Sequence, residues 1–378
     1  MAPLRILYID TGLGLAGGQV SLVELLKHLA GHRFQPFVCS PEDSALEKKC
    51  SELGVVWLPL PTKSVHLSTR QGGAVAGVVR DLFDSLYGVG LLAARIRANR
   101  IDIVHANTFK GALVGGLACL FVRRPMIFHD RTHIDHGVLG RLVASMASRI
   151  IVVSHAVGAK HKGRAGRKAR LVYNGIDTDR FAPTGAEPLQ KAVCFLGRIS
   201  EEKDVLSLVE CASLVLASVP AARFLVAGEP FTPNDAKYLE SVRARIRDLR
   251  LDHAFEFLGH VDDVRPVLNR STVLALPSKN EPLGRVVLEA MALRRPVIAF
   301  DIGGPREIIT SEVDGILVPP GDLAGFARAI VRMLTDRELA HRFGEMGRQT
   351  VTSRFSSTLT AGHIEEVYRE ICPGAGEG

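Results

Sequence analysis

Short uninterrupted apolar runs alternate with segments whose apolar residues recur every three to four positions. Residues 4–10 read as a strand, and 17–30 follow with helical spacing. Runs at 35–40, 101–107, 125–130 and 149–154 read as further strands. Strands without polar alternation are buried on both faces, which predicts a parallel sheet covered by helices. The alternation restarts at 192–198 and continues at 222–229, 254–260, 272–278 and 295–301. The fold class predicted is α/β, with two doubly wound, Rossmann-like halves. Proline, glycine and polar residues over 174–191 mark a linker. The domains are therefore expected at 1–175 and 176–357. The last amphipathic stretch, about 358–372, has an apolar face that could pack back on the first domain, and periodicity alone does not decide it. Ligands of such sheets sit beyond the carboxyl ends of the strands, so two facing sheets would form an interdomain cleft.

A length of 378 residues suits two domains, and the 47% apolar and 23% charged content is that of a globular chain. The net charge of +7 is unevenly placed. Residues 1–173 hold 23 Lys/Arg against 11 Asp/Glu, whereas 174–378 hold 24 against 29. A basic first half suits an anionic partner or an acidic membrane surface, and equally a solvated surface. The six cysteines show no metal spacing and lie in or beside apolar stretches, as reduced buried thiols in a cytosolic protein would. The apolar run before Asp10 is too short for a signal peptide, and 111–122 is too short to span a bilayer. A membrane role would have to be peripheral.

Three segments carry candidate chemistry. Gly12, Gly14 and Gly17, followed by Gly18, have dinucleotide-type spacing between a strand and a helix. The second strand ends at Cys39-Ser40-Pro41 without the acidic residue that an NAD site wants, so a tight turn or a flexible loop at a substrate cleft stands beside the NAD reading. In the second segment, Gly197-Arg198 with Lys203 places two cations beside a helix start. They could neutralise a diphosphate or pair with Glu201 and Glu202. In the third, Glu281, Gly284, Arg285 and Glu289 span a strand-to-helix loop. Gly284 permits close approach to a helix N-terminus, and carboxylates accept hydrogen bonds from paired hydroxyls. Apolar neighbours make Glu289 a poor surface residue.

Other features read more plainly. His129, Asp130 and His133 lack the helix that metal spacing would need. Asp177 and Asp179 spell a possible metal motif inside the linker. The basic run 161–170 has no aromatic residues for stacking, so it is expected to be a solvated connector or a contact to anionic lipid, with no nucleic acid as partner.

Taken in order, these segments resemble retaining glycosyltransferase family 4 (glycosyl transferases group 1), of GT-B fold. The matches are Gly17-Gly18, Val153-Ser154-His155-Ala156-Val157, Asn174-Gly175-Ile176-Asp177 before Phe181, and Gly197-Arg198 with Lys203. Phe257-Leu258-Gly259, Pro277-Ser278, Glu281 with Glu289, and Gly303-Gly304-Pro305 with Glu307 complete the series. The resemblance implies a nucleotide-diphosphate sugar, UDP- or GDP-linked, bound mainly by the second domain. Arg198 and Lys203 would hold the diphosphate, Glu281 the donor-sugar hydroxyls, and Glu289 the ribose. Gly259, Gly284 and Arg285 would belong to the same donor site. Gly17, Gly18 and His129 would face the reacting sugar, so Glu281 and His129 are the expected catalytic residues. No metal or other cofactor is implied, because Arg198 and Lys203 replace the ion's charge. Asp204 stands where the family usually has glycine, and Pro282 where glycine often follows the first glutamate.

The expected activity is retaining hexosyl transfer to a lipid-linked or saccharide acceptor, in cell-surface polysaccharide or glycolipid synthesis. The expected location is cytoplasmic, with peripheral contact to the inner face of the membrane. No carboxylate suggests itself as a nucleophile, and the resemblance implies front-face attack, in which the leaving phosphate accepts the acceptor's proton. A nucleotide-sugar epimerase of the same fold, an NAD-dependent dehydrogenase and a non-catalytic binding protein remain alternatives.

Overall fold

The computed structural model describes residues 3–29, 33–60, 75–184 and 191–373, with backbone alone over 75–86. Part of the expected linker, 185–190, lies outside the described residues. The chain divides into two compact units, Met1–Asn174 with Ser357–Gly378, and Gly175–Ser356.

The first unit alternates strands and helices: β1 (Leu4–Ile9), α1 (Gly17–Leu29), β2 (Phe34–Ser40), α2 (Ala45–Leu53), β3 (Val56–Pro59), α3 (Val75–Ala98), β4 (Ile103–Ala106), α4 (Phe109–Val122), β5 (Met126–Asp130), α5 (Gly137–Met146), β6 (Arg149–Val152), α6 (His155–Gly158), α7 (Gly163–Lys168) and β7 (Ala169–Leu171). The second unit continues with β8 (Ala192–Leu196), α8 (Val205–Ser218), β9 (Arg223–Ala227), α9 (Pro233–Asp248), β10 (Phe255–Gly259), α10 (Arg265–Arg270), β11 (Val273–Leu276), α11 (Arg285–Ala292), β12 (Val297–Phe300), α12 (Pro305–Ile308), β13 (Ile316–Val318), α13 (Leu323–Thr335) and α14 (Arg337–Arg354). The last helix, α15 (Ser357–Ile371), belongs to the first unit.

Each unit holds one parallel sheet. The first runs β3-β2-β1-β4-β5-β6-β7 and the second β10-β9-β8-β11-β12-β13. In both, the strand order reverses beside the unit's first strand, between β1 and β4 and between β8 and β11. That switch point leaves a crevice at the strands' carboxyl ends. The central strands are mostly apolar, as both-face burial requires: Ile103, Val104, Val193 and Phe195 are all fully buried. Helix α15 closes the first core. Ile364, Val367 and Tyr368 pack with Leu22, Leu26 and Phe34 in one cluster. Ser357 bonds His28 at 2.7 Å, the Thr360 hydroxyl donates to the Tyr173 carbonyl at 2.9 Å, and Glu370 pairs with Arg149 and Arg170.

The basic run is a point of correction. It is not a plain solvated connector but forms α7 and the edge strand β7, paired with β6. The Lys168 ammonium donates to the carbonyls of Ala144, Ser145 and Ala147, capping the end of α5. A cation at a helix C-terminus satisfies orphan carbonyls and favours the dipole. All six cysteines are free. Burial pushes the Cys39, Cys119, Cys194 and Cys211 thiols up to about 12, which leaves them unreactive.

Candidate active site

In the second unit the site begins where β8 runs out. Gly197 has φ 144°, and a Cβ on the neighbouring Gly228 would fall 1.8 Å from the Gly197 carbonyl oxygen. This glycine-on-glycine contact sets the turn carrying Arg198, and Gly228 escaped the sequence reading. The turn ends at Asp204, which caps α8 in a left-handed conformation with φ 53°. Glycine takes that conformation most readily and aspartate tolerates it, which gives the departure at this position a physical basis. The Asp204 carboxylate accepts from Ser207 Oγ at 2.7 Å and pairs with Lys279 at 3.1 Å.

The expected donor residues pair with one another. The Arg198 guanidinium donates to Glu202 at 2.8 Å. The Lys203 ammonium donates to Glu281 in a short contact, with both side chains largely buried. Arg285 Nε donates to Glu289 at 2.9 Å, one helical turn along α11. Glu281 and Glu289 are 8% and 7% exposed, so neither is a solvated surface carboxylate. The Lys279 N–H donates to the Glu202 carbonyl at 2.9 Å, tying the loop after β8 to the loop after β11. Ser200 Oγ and Ser278 Oγ are buried on these loops without a hydrogen-bond partner.

The loop bearing Glu281 is held from behind. The Gly304 N–H donates to the Glu281 carbonyl at 2.8 Å. A Cβ on Gly304 would lie 2.1 Å from Leu283 Cα, and one on Gly303 would lie 2.5 Å from the Glu281 carbonyl oxygen. Only glycine allows this approach. Gly284 caps α11 at φ 98°, placing the positive end of that helix beside Glu281. Gly259 has φ 65°, and its neighbour His260 donates its backbone N–H to Glu229 at 3.1 Å.

In the first unit the carboxyl ends of β1, β4 and β5 carry a continuous polar network. Asp10 is fully buried and accepts from the Gly12 N–H (2.7 Å), Gln19 Nε2 (2.9 Å) and Asn107 Nδ2 (2.5 Å). This carboxylate occupies the glycine loop's own donor and repels a second anion, which disfavours the dinucleotide reading of Gly12 and Gly14. Gly17 opens α1, and a Cβ on Gly18 would touch the Arg131 side chain at 3.3 Å. Arg131 Nε donates to Asn107 Oδ1 at 2.9 Å, and its Nη1 makes a short bond to Asn174.

His129 ends 1% exposed on β5. Its Nδ1 lies 3.0 Å from His105 Nε2 and 3.2 Å from Arg131 Nη2, while its Nε2 is buried without a partner. His105 Nδ1 in turn meets the Tyr368 hydroxyl at 2.7 Å, and that hydroxyl meets Tyr8 at 2.7 Å. Burial, with the Arg131 charge second, lowers the His129 pKa well below the usual histidine range and that of His105 to about 3. Both rings are neutral at physiological pH. Asp10, Asn107, Arg131, His105 and Tyr368 escaped the sequence reading. They have no local spacing, and only the topology brings them together.

The two metal motifs have other uses. Asp130 binds Lys160 at 2.9 Å and His161 at 2.7 Å, and Asp177 Oδ1 accepts the N–H groups of Asp179 and Arg180 in a turn. Among the described residues no group of three His, Cys, Asp or Glu is placed to hold a metal ion. A cavity of about 430 Å³ also opens in the first unit. Phe109, Phe128, Arg141, Lys160, Lys162 and Arg164 are among its lining. Ile134, which also lines it, and Val138, Leu139 and Leu142 of α5, the helix that supplies part of its wall, are exposed. Among the described residues no helix is long and apolar enough to cross a membrane.

Comparison with known proteins gives the family. Residues 177–350 match the family described as glycosyl transferases group 1, and residues 15–180 match glycosyltransferase family 4. The α-maltose-1-phosphate synthase of Mycolicibacterium smegmatis is 31% identical over 313 residues, covering 72% of this chain and 80% of that protein. An Escherichia coli UDP-Gal:α-D-GlcNAc-diphosphoundecaprenol α-1,3-galactosyltransferase is 23% identical over 73% of this chain and 77% of its own length. The crystal structure of Anabaena HepE in complex with UDP and glucose superposes with a TM-score of 0.81, at 20% identity, over 97% of this chain and 99% of that one. With these matches along nearly its whole length, the chain belongs to the group 1 glycosyltransferases of GT-B fold.

Proposed function

We propose that the protein is a retaining hexosyltransferase that takes its sugar from a UDP- or GDP-linked donor without a metal ion. The observation that carries this reading is the paired set Arg198–Glu202, Lys203–Glu281 and Arg285–Glu289 at one end of the second sheet. Each cation has an exchangeable partner. A donor diphosphate would take over Arg198 and Lys203, with the amino end of α11 adding a dipole. Lys203 would then be shared between phosphate and Glu281, which turns the carboxylate toward the sugar hydroxyls. Glu289, held by Arg285, is assigned to the ribose. As the anomeric C–O bond breaks, negative charge grows on the diphosphate, and the preorganised cations stabilise it where it forms. The departing phosphate is assigned as the acceptor's proton acceptor, in front-face attack.

The acceptor reading is a lipid-linked or saccharide hydroxyl, in cell-surface polysaccharide or glycolipid synthesis. The E. coli relative's diphosphoundecaprenol acceptor supports the lipid-linked form. The cation-lined cavity and the exposed apolar residues beside it support peripheral membrane contact from the cytoplasmic side.

The test is calorimetric titration of UDP, GDP and ADP, with and without EDTA, into wild type and Arg198→Ala. EDTA-insensitive binding of UDP or GDP, lost in the variant, is the expected result. An absence of nucleotide binding, or binding abolished by EDTA, would overturn the reading.

A further inference from the structure

Tyr8, Tyr368, His105, His129 and Arg131 form one unbroken line of polar contacts through the first unit. Such a line can carry its protons in either of two directions, and the direction decides which nitrogen of each neutral ring bears hydrogen. One member has no choice. The Arg131 guanidinium only donates, so His129 Nδ1, at 3.2 Å from Nη2, must be a bare acceptor. His105 Nε2, 3.0 Å from the same Nδ1, must then carry the proton and donate it. That leaves His105 Nδ1 bare, to accept from the Tyr368 hydroxyl at 2.7 Å, which in turn accepts from Tyr8. The opposite direction would aim a His129 Nδ1–H at the guanidinium N–H.

We infer that Tyr368 and His105 are positioning residues that, together with Arg131, lock His129 as the neutral Nε2–H tautomer. The one ring atom of His129 without a protein partner is thereby a hydrogen-bond donor and not a base. A buried N–H left unmet is costly, so it calls for an acceptor oxygen from a ligand. The C-terminal helix α15 thus serves the site as well as the core, because it delivers Tyr368. The low pKa values of both rings agree with the neutral state.

Nuclear magnetic resonance of the ligand-free full chain, with ¹⁵N-labelled histidine, tests the tautomer without any donor. His105 and His129 are assigned by the signals lost in His105→Gln and His129→Gln. In the wild type, both should show a pyridine-like Nδ1 and a pyrrole-like Nε2. Tyr368→Phe keeps the ring and removes the hydroxyl, so the His105 Nδ1 signal should move as its donor is lost, while Arg131 still holds the ring in its Nε2–H form. Arg131→Met should release His129 from the single Nε2–H form. Tyr8→Phe should disturb both rings least, since the Tyr368 hydroxyl still donates. A wild-type His129 that is charged or Nδ1-protonated would overturn the inference. So would a Tyr368→Phe variant whose His105 spectrum is unchanged. If Tyr368→Phe does not fold, the wild-type and Tyr8→Phe spectra decide.

The consequence for turnover rests on the reading of His129 as a contact to the reacting sugar. On that reading, Tyr368→Phe should lower kcat about tenfold with the donor KM nearly unchanged, the pattern of a mispositioned group. Normal kcat with a shifted spectrum would leave the tautomer lock standing and remove His129 from the sugar site.

Discussion

At the end of the second sheet three cations face three carboxylates: Arg198 with Glu202, Lys203 with Glu281 and Arg285 with Glu289. At the end of the first sheet a histidine and a guanidinium meet on one nitrogen of a second histidine, and the buried carboxylate of Asp10 is saturated by amide and backbone donors. The first arrangement can change partners. Under the proposed function, an arriving diphosphate would offer Arg198 and Lys203 stronger acceptors than their carboxylates. The second arrangement cannot change partners without leaving buried polar groups unmet, so its polarity is fixed before any ligand arrives. Charge that must be neutralised during a reaction suits the exchangeable side. A directional hydrogen bond suits the rigid one.

The sharpest way to break this comparison is to strip the exchangeable side. Arg198→Ala should weaken nucleoside diphosphate binding by about a hundredfold, roughly 3 kcal/mol, as expected for a charge-assisted contact to phosphate. Calorimetry reads this directly. Glu281→Gln should cut turnover by about 10²- to 10³-fold, on the scale of a lost polar group aimed at the transition state. Equal turnover would remove Glu281 from the mechanism.

Acidification should strike the rigid side next. The folded pKa values of His105 and His129 lie below the ordinary 6.5, so the unfolded chain binds more protons once pH falls below about 6.5. Stability is therefore full above that pH and is lost on the way down, to about pH 3 for His105. Each histidine should cost about 1.4 kcal/mol per pH unit in that window. Urea unfolding at pH 7.0 and 5.5 should show a drop that His105→Gln reduces.

Gly304→Ala should come third. Its Cβ would fall 2.1 Å from Leu283 Cα, so the loop bearing Glu281 must move. Roughly 2 kcal/mol of stability should be lost, in line with overpacking at a tight site. Gly17→Ala, with nothing within 4 Å of its added Cβ, serves as the control. Asp204→Gly should have the smallest effect. Relief of the left-handed backbone is worth about 1 kcal/mol, and it offsets the loss of the Ser207 and Lys279 contacts. Thermal unfolding of the three variants would rank them.

How far the sequence could be read follows the same division. The central strands β1, β4, β5, β8, β9 and β11 are largely apolar runs, and burial on both faces makes such runs legible. The short edge strands β3 and β7 were hidden. Val56 is exposed, and Arg170 sits in the middle of β7 among other cations, so neither segment shows the pattern of a buried strand. In the second unit Arg198 and Lys203 share one loop, and Glu281 and Glu289 flank another, so the grouping is local and visible as spacing. In the first unit Tyr8 and Tyr368 are 360 residues apart, and His105 bonds a side chain 263 positions away. No window of sequence contains that network; only the return of α15 to the first sheet assembles it.

The comparison turns on Lys203, the cation that the account makes exchangeable. The most direct measurement is the affinity of Lys203→Met and Glu281→Gln for whichever of UDP and GDP the wild type binds, by calorimetry under one buffer condition. The account predicts that Lys203→Met loses most of the affinity, while Glu281→Gln, with the ammonium released from its carboxylate, binds at least as tightly as wild type. Retained binding in Lys203→Met, or lost binding in Glu281→Gln, would contradict it.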